Sequence, residues 1–330
     1  MRRYTRIVPP TTPPITAAKP SDGRSTDRSG HGGVRASPPH TLPWWQRASR
    51  RTVLSVAKRL VSPGAVKLGE RVPLMRMLTA RVNRRLDRLH VRVCGAPFHV
   101  DVMRRSVSRS VYLGGRWHAP VVSMIRDHVR PGMTVADIGA NIGLMAVHAG
   151  DAVGPDGTVL AFEPEPRNFA LLAENARHAR WRNVIPIEAA IGERSGTLTL
   201  YLSPRDSGDH RTVPGAGLRE STTVPSLALD RFSAERGMPI HFAKMDIQGA
   251  EGQALRGMND TLRAAHFRGL VLEFWPDALV AAGEDPVGIM KHVSDAGLAC
   301  TSHPLADVDA ATFVAAIEPN GSRDLLFLRR

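Results

Sequence analysis

Cysteine is nearly absent: Cys94 and Cys300 are the only two in 330 residues. They are too far apart for a metal-ligand spacing or a disulfide framework. Aromatic residues make up only 5% of the chain, which leaves few flat platforms for stacking nucleic-acid bases. No run of 18 consecutive apolar residues occurs, so no segment is long enough to cross a bilayer as a helix. Met1-Arg2-Arg3 begins like an export signal, but no apolar stretch follows, and Pro9, Pro10, Pro13 and Pro14 interrupt what is there. The thirteen histidines show no metal-ligand spacing, and no metal site is expected. Together these absences read as a cytoplasmic protein.

What is present is ordinary for a globular chain, 42% hydrophobic and 23% charged. The net charge of +13 is unevenly spread. Residues 1–110 carry 23 Lys+Arg against 5 Asp+Glu, whereas residues 111–330 carry 21 against 26. Residues 1–43 are rich in Pro, Ser, Thr, Gly and Arg; burial cannot offset the entropy of ordering them, which predicts a disordered basic tail. Residues 44–93 place Val53, Ala57, Leu60 and Val61 at helical spacing, with Arg47, Arg50, Arg51 and Lys58 around the turn. This is a basic helical extension, suited to capping a neighbouring domain or to contact with an anionic membrane surface or another polyanion, which would make the protein peripheral at the membrane.

From residue 94 to 330 strand and helix patterns alternate, which predicts an α/β domain, a Rossmann-like doubly wound and mostly parallel sheet. Strands are expected at Thr134–Ile138, Thr158–Phe162, Val184–Ala190, Thr197–Leu202, His241–Met245, Leu270–Phe274 and Asp324–Leu328. Residues 91–102 should form an antiparallel preamble, and residues 203–223 a long polar loop.

Three segments carry chemistry. Val135 to Gly143 places a glycine turn between strand and helix, where doubly wound sheets bind nucleotide-like ligands. A dinucleotide loop needs glycine at its first, third and sixth positions; counted from Gly139, the third is Asn141 and the sixth Leu144. Asp137 would also set a carboxylate beside any phosphate. A ligand with a cationic end, such as S-adenosylmethionine, suits the turn better. Glu163 closes the next strand, placed to accept hydrogen bonds from both hydroxyls of a ribose, or else to favour the start of the following helix. In Lys244-Met245-Asp246-Ile247-Gln248-Gly249-Ala250-Glu251, alternation puts Lys244, Asp246 and Gln248 on one side. Asp246 is expected to take or orient a proton while Lys244 sets its charge state; the competing reading is a structural ion pair at a helix start.

The runs DIGANIG, FEPEP (Phe162 to Pro166), KMDIQGAE (Lys244 to Glu251) and LEFWP (Leu272 to Pro276) together resemble the FkbM-type methyltransferases over about residues 105–328. The resemblance implies a class I S-adenosylmethionine-dependent fold and O-methylation of a hydroxyl on a sugar, glycan or polyketide. It carries over Asp137, Gly139, Asn141, Gly143 and Glu163 as cofactor residues, with Glu188 near the adenine. Glu273 and Trp275 are expected on the acceptor side, and His210 in a polar loop is a further candidate for proton transfer. One departure is Gln248, where the family usually has Glu. Two alternatives are a nucleic-acid methyltransferase gripping phosphates with its Arg-rich front, disfavoured by the few aromatics, and a cofactor-binding protein without turnover.

Overall fold

The computed structural model describes residues 89–101, 107–114, 118–203, 206–215, 220–302, 309–317 and 321–330, with Arg51, Thr52 and Ser55. The expected tail 1–43 and nearly all of the extension 44–93 lie outside the described residues, and so does the surface that would meet a membrane or polyanion. No helix among the described residues is long and apolar enough to cross a membrane.

The first described strands form a hairpin, β1 (His90–Val93) and β2 (Ala96–His99), which pairs Val93 with Ala96 across a two-residue turn, Cys94-Gly95. Helices α1 (Val107–Gly114) and α2 (Ala119–His128) follow. Then come β3 (Thr134–Ile138), α3 (Leu144–Val153), β4 (Thr158–Phe162), α4 (Pro166–His178) and β5 (Val184–Ile187). Three strands, β6 (Ala190–Ile191), β7 (Gly196–Leu202) and β8 (Glu220–Leu227), make a separate small sheet. Helix α5 (Leu229–Arg236) leads into β9 (Phe242–Met245), and α6 (Glu251–Arg256) and α7 (Asn259–Arg263) into β10 (Gly269–Phe274). The chain closes with α8 (Pro276–Ala281), α9 (Pro286–Asp295), β11 (Leu298–Cys300), α10 (Ala310–Ala315) and β12 (Arg323–Arg329).

The main sheet has the order β11-β12-β10-β9-β3-β4-β5, parallel except for β12, which runs antiparallel to both its neighbours. This is the expected Rossmann-like, doubly wound and mostly parallel fold. The order reverses between β3 and β9, so their carboxyl ends splay loops to opposite sides and leave a crevice. Strict alternation fills both faces. Val135, Val159 and Ala161 pack with α2, α3 and α4, while Ala136, Ile138, Leu160 and Phe162 pack with the helices of the other layer. Strands covered on both sides read as nearly unbroken apolar runs, which is why β3 and β4 were visible from sequence to the residue. Pro166 and Pro286 start their helices behind Glu165 and Asp285, whose carboxylates accept the backbone N–H of Asn168 and Val287.

Two expectations change. The strand foreseen to Ala190 stops at Ile187, where the Ala189 N–H bonds back to the Ile187 carbonyl at 3.0 Å and turns the chain into the small sheet. The loop foreseen over 203–223 gives way at Glu220 to β8, whose Ser/Thr-rich sequence and Pro225 disguised it. Pro225 lies just before the stretch that β6 pairs, where a missing N–H costs no bond to that strand.

Buried Asn175 on α4 joins three segments. Its Oδ1 accepts the His99 N–H at 2.6 Å, and its Nδ2 donates to the His99 carbonyl at 3.1 Å and to the Ile142 carbonyl at 2.8 Å. Asn175→Ala strips partners from three backbone groups, and urea unfolding is expected to show a loss of about 2–4 kcal/mol.

Candidate active site

The carboxyl ends of β3, β4, β9 and β10 open on one cleft, lined by Gly139, Asn141, Glu163, Lys244, Asp246, Gln248 and Glu273, with His118 and His210 at its sides. The turn after β3 explains its own glycines. Gly139 has φ +77°, and a Cβ there would lie 2.0 Å from the Asp246 carbonyl oxygen, because the turn presses against the end of β9. Asn141 is also left-handed, at φ 52°. Its N–H donates to Glu163 Oε2 at 2.8 Å, and the other oxygen of Glu163 accepts the Glu165 N–H at 2.9 Å. Glu163 thus fixes the turn while still facing the cleft with unused lone pairs. Burial pushes its carboxyl up to about 7, against the pull of those two amide bonds.

Beneath the turn is a buried ion cluster. Lys244 Nζ stands 3.5 Å from Asp137 Oδ1 and 3.5 Å from Asp246 Oδ2, and donates to the Gly139 carbonyl at 3.2 Å. Burial works against the ammonium, but Asp246 and Asp137 outweigh it and raise its pKa, so Lys244 is charged. Burial raises Asp137, opposed by Lys244. Asp246 also resists burial: Lys244 and hydrogen bonds from Glu273 and Gln248 hold it below the ordinary carboxylate range. Burial and the Asp246 charge push Glu273 up to about 9. Asp246 is therefore ionised at neutrality and Glu273 protonated. Gln248, strained at φ 58°, donates from Nε2 to Asp246 at 2.8 Å and to Glu273 at 2.6 Å. Glu251 forms no pair with Lys244; its carboxylate accepts the N–H groups of Ile247 and Gly249 at 3.1 and 2.9 Å and folds the loop after β9.

The small sheet contributes the cover. The carbonyl of Ser207 accepts Asn141 Nδ2 at 3.0 Å and Asn168 Nδ2 at 2.9 Å, which brings residues 206–210 over the cleft. His210 Nδ1 accepts the Ser203 N–H at 3.0 Å. A neutral imidazole in that bond carries its proton on Nε2, so His210 can donate but cannot take a proton without giving up the Ser203 bond.

Of the expected residues, the cleft gathers Gly139, Asn141, Glu163, Lys244, Asp246, His210 and Glu273. Asp137 lies beneath it, only 1% exposed, and Gly143 packs against Leu172. Glu188 is exposed, and its neighbours Ala189 and Ala190 line the cleft in its place. Trp275 sits outside the lining, its ring covered by the Arg211 guanidinium at 5.0 Å. Sequence reading missed His118, which lines the cleft with Nδ1 3.6 Å from Asp324 Oδ2. Its left-handed conformation at φ 48°, just before a helix beginning Ala-Pro, turns it inward and leaves no sequence motif. The lining carries Glu163, Asp206, Asp209, Asp246 and Glu273 against one lysine and two histidines, a set that repels phosphate and suits a ligand with a positive centre and a vicinal diol.

Residues 137–297 match the family model described as Methyltransferase FkbM domain. The chain is 27% identical over 184 residues to hexuronic acid methyltransferase AglP of Haloferax volcanii, covering 56% of this chain and 70% of the relative. It is 30% identical over 164 residues to 31-O-demethyl-FK506 methyltransferase FkbM of Streptomyces tacrolimicus, covering 40% and 62%. It is 26% identical over 166 residues to 2-O-methyltransferase NoeI of Sinorhizobium fredii, covering 46% and 66%. The chain thus spans less than two thirds of the length of two of these three.

Three raised carboxyls make stability depend on pH. Glu163 and Glu251 are held at about 7 and Glu273 at about 9, so the folded chain keeps protons that the unfolded chain releases near the ordinary carboxyl value. The contribution of these carboxyls is complete below the ordinary carboxyl value and is lost as pH rises through about 7 and then about 9, so above about pH 7.5, where an unfolded chain's histidines have shed most of their protons, stability falls as pH rises toward 9. Differential scanning calorimetry is expected to show a falling melting temperature over that window, and Glu273→Gln to flatten its upper part.

Proposed function

We propose that this chain, an S-adenosylmethionine-dependent methyltransferase that belongs to the FkbM family through residues 137–297, methylates the oxygen of a hydroxyl on a sugar, glycan or polyketide-type acceptor. The observation that supports this most directly is the pairing of an ionised Asp246 with a protonated Glu273, on the same cleft as Glu163. S-adenosylmethionine, when bound, supplies a methyl group activated by a sulfonium. In this reading Glu163 accepts the ribose hydroxyls, and the turn from Gly139 to Asn141 holds the amino-acid end through its backbone. The Asp137–Lys244–Asp246 cluster sets two carboxyl groups around one ammonium, so the cluster does not repel a cation above it as a lone lysine would.

The acceptor enters from the side of Asp246, Glu273 and His118. Methyl transfer needs the attacking oxygen in line at about 3–3.5 Å and its proton removed as the bond forms. Asp246 is a weak base because Lys244, Gln248 and Glu273 all bind it. Its work is to orient the hydroxyl and receive the proton late, once the oxygen has begun to lose electron density. Gln248 supplies a donor between two carboxyls where Glu would add a third carboxyl. The named activities of the relatives, on a hexuronic acid, on 31-O-demethyl-FK506 and at a 2-O position, support oxygen as the accepting atom.

The test uses methyl-labelled S-adenosylmethionine with uronic-acid glycans, neutral glycans and macrolides. Base-stable O-methyl label is expected in one class, and N-linked label would overturn the reading. Asp246→Asn is expected to lower kcat by about 10²–10⁴-fold while cofactor affinity stays within roughly threefold. An undiminished kcat removes Asp246 from its role. Cofactor affinity, read by calorimetry, is expected to rise about tenfold between pH 6 and 8 as Glu163 ionises. Glu163→Ala is expected to flatten that profile and weaken binding by about 1–3 kcal/mol.

A further inference from the structure

On the outer side of α4, away from the cleft, three side chains from distant parts of the sequence converge. His99 ends β2, and Glu174 and His178 lie one turn apart at the end of α4; a nitrogen or carboxylate oxygen from each falls within 4.8 Å of the others. No sequence spacing announces this group, because β2 and α4 are brought together only by the fold.

We propose that His99, Glu174 and His178 form a binding site for a divalent transition cation of the zinc type, which clamps the β1–β2 hairpin to the last turn of α4. Two imidazoles bound to one tetrahedral cation at about 2.0–2.1 Å hold their ring centres roughly 5 Å apart. The centres of His99 and His178 stand 5.0 Å apart, tilted by 46° and so not stacked. The tautomer of His178 is fixed for the task. Its Nδ1 lies 2.9 Å from the Glu174 carbonyl, which can only accept, so the proton is on Nδ1 and the lone pair of Nε2 is left for a metal. The backbone of His99 is already locked on both sides by Asn175, so one ligand is preorganised. A tetrahedral cation asks for ligand atoms about 3.3 Å apart, so side-chain shifts of about 1.5 Å or less, made with the His178 Nδ1 bond kept, supply the closure. Two nitrogens and one carboxylate select zinc, nickel or copper over magnesium or calcium. The fourth position falls to water or to His90, which pairs with His99 across the hairpin, its ring centre 6.0 Å away.

The full chain titrated with zinc is expected to bind one equivalent at this site, to melt a few degrees higher, and to return to its starting value with EDTA. Cobalt in its place is expected to give the visible absorption of a nitrogen-and-oxygen tetrahedral site. His178→Ala, on an exposed side chain, is expected to melt like the parent without metal but to lose the zinc shift and at least about tenfold in affinity. His99→Ala is expected to behave alike toward zinc, and Glu174→Gln to weaken binding. Zinc uptake and melting shift unchanged in His178→Ala would mean adventitious metal elsewhere and overturn the proposal, as would no uptake at micromolar free zinc.

Discussion

A single buried ammonium organises the catalytic end of this molecule. Lys244 lies between carboxylates from β3 and β9, the two strands that meet where the sheet reverses, and also reaches the carbonyl of Gly139. Each partner depends on it. Without the cation, two acidic side chains would share a low-dielectric space uncompensated, at a cost of about 3–5 kcal/mol. The same contact sets the height of the glycine turn above the sheet and the charge of Asp246, so backbone position and acid–base chemistry are fixed together.

Charge is distributed around that ammonium in a graded way. Asp246 gathers donors and stays ionised, Glu273 keeps its proton, and Glu163 stands near its midpoint at neutral pH. Three carboxyls at the ends of β4, β9 and β10 thus differ in protonation because burial, neighbouring charge and hydrogen bonds balance differently at each. A cleft of this kind combines negative potential with a mixed face of hydrogen-bond donors and acceptors.

The parallel core was legible because strands covered on both faces must be apolar throughout, and Pro166, Pro286 and the glycine turn mark helix starts directly. Glu163 and Asp246 could be found because they follow such strands immediately. The remainder was hidden for physical reasons. Strand β8 is half-exposed and polar, and helices of five to eight residues, such as α5, α7, α8 and α10, complete too few turns to show a period. His118 faces the cleft only through a left-handed backbone and a carboxylate 206 residues further on, Asp324. Asp137 sits in the strongest motif of the chain, yet its register turns it under the turn and toward Lys244. Pattern reveals which strand end matters, but a side chain's neighbours there come from the whole fold.

The flap over the cleft is fastened by its main chain. Both lone pairs of the Ser207 carbonyl are occupied, one by the amide of Asn141 and one by that of Asn168. Every residue type offers the same oxygen, so the specificity of this fastening resides in the two asparagines that donate to it. A substitution at Asn141 or Asn168 would therefore loosen the flap from outside it, since neither residue belongs to the segment they hold.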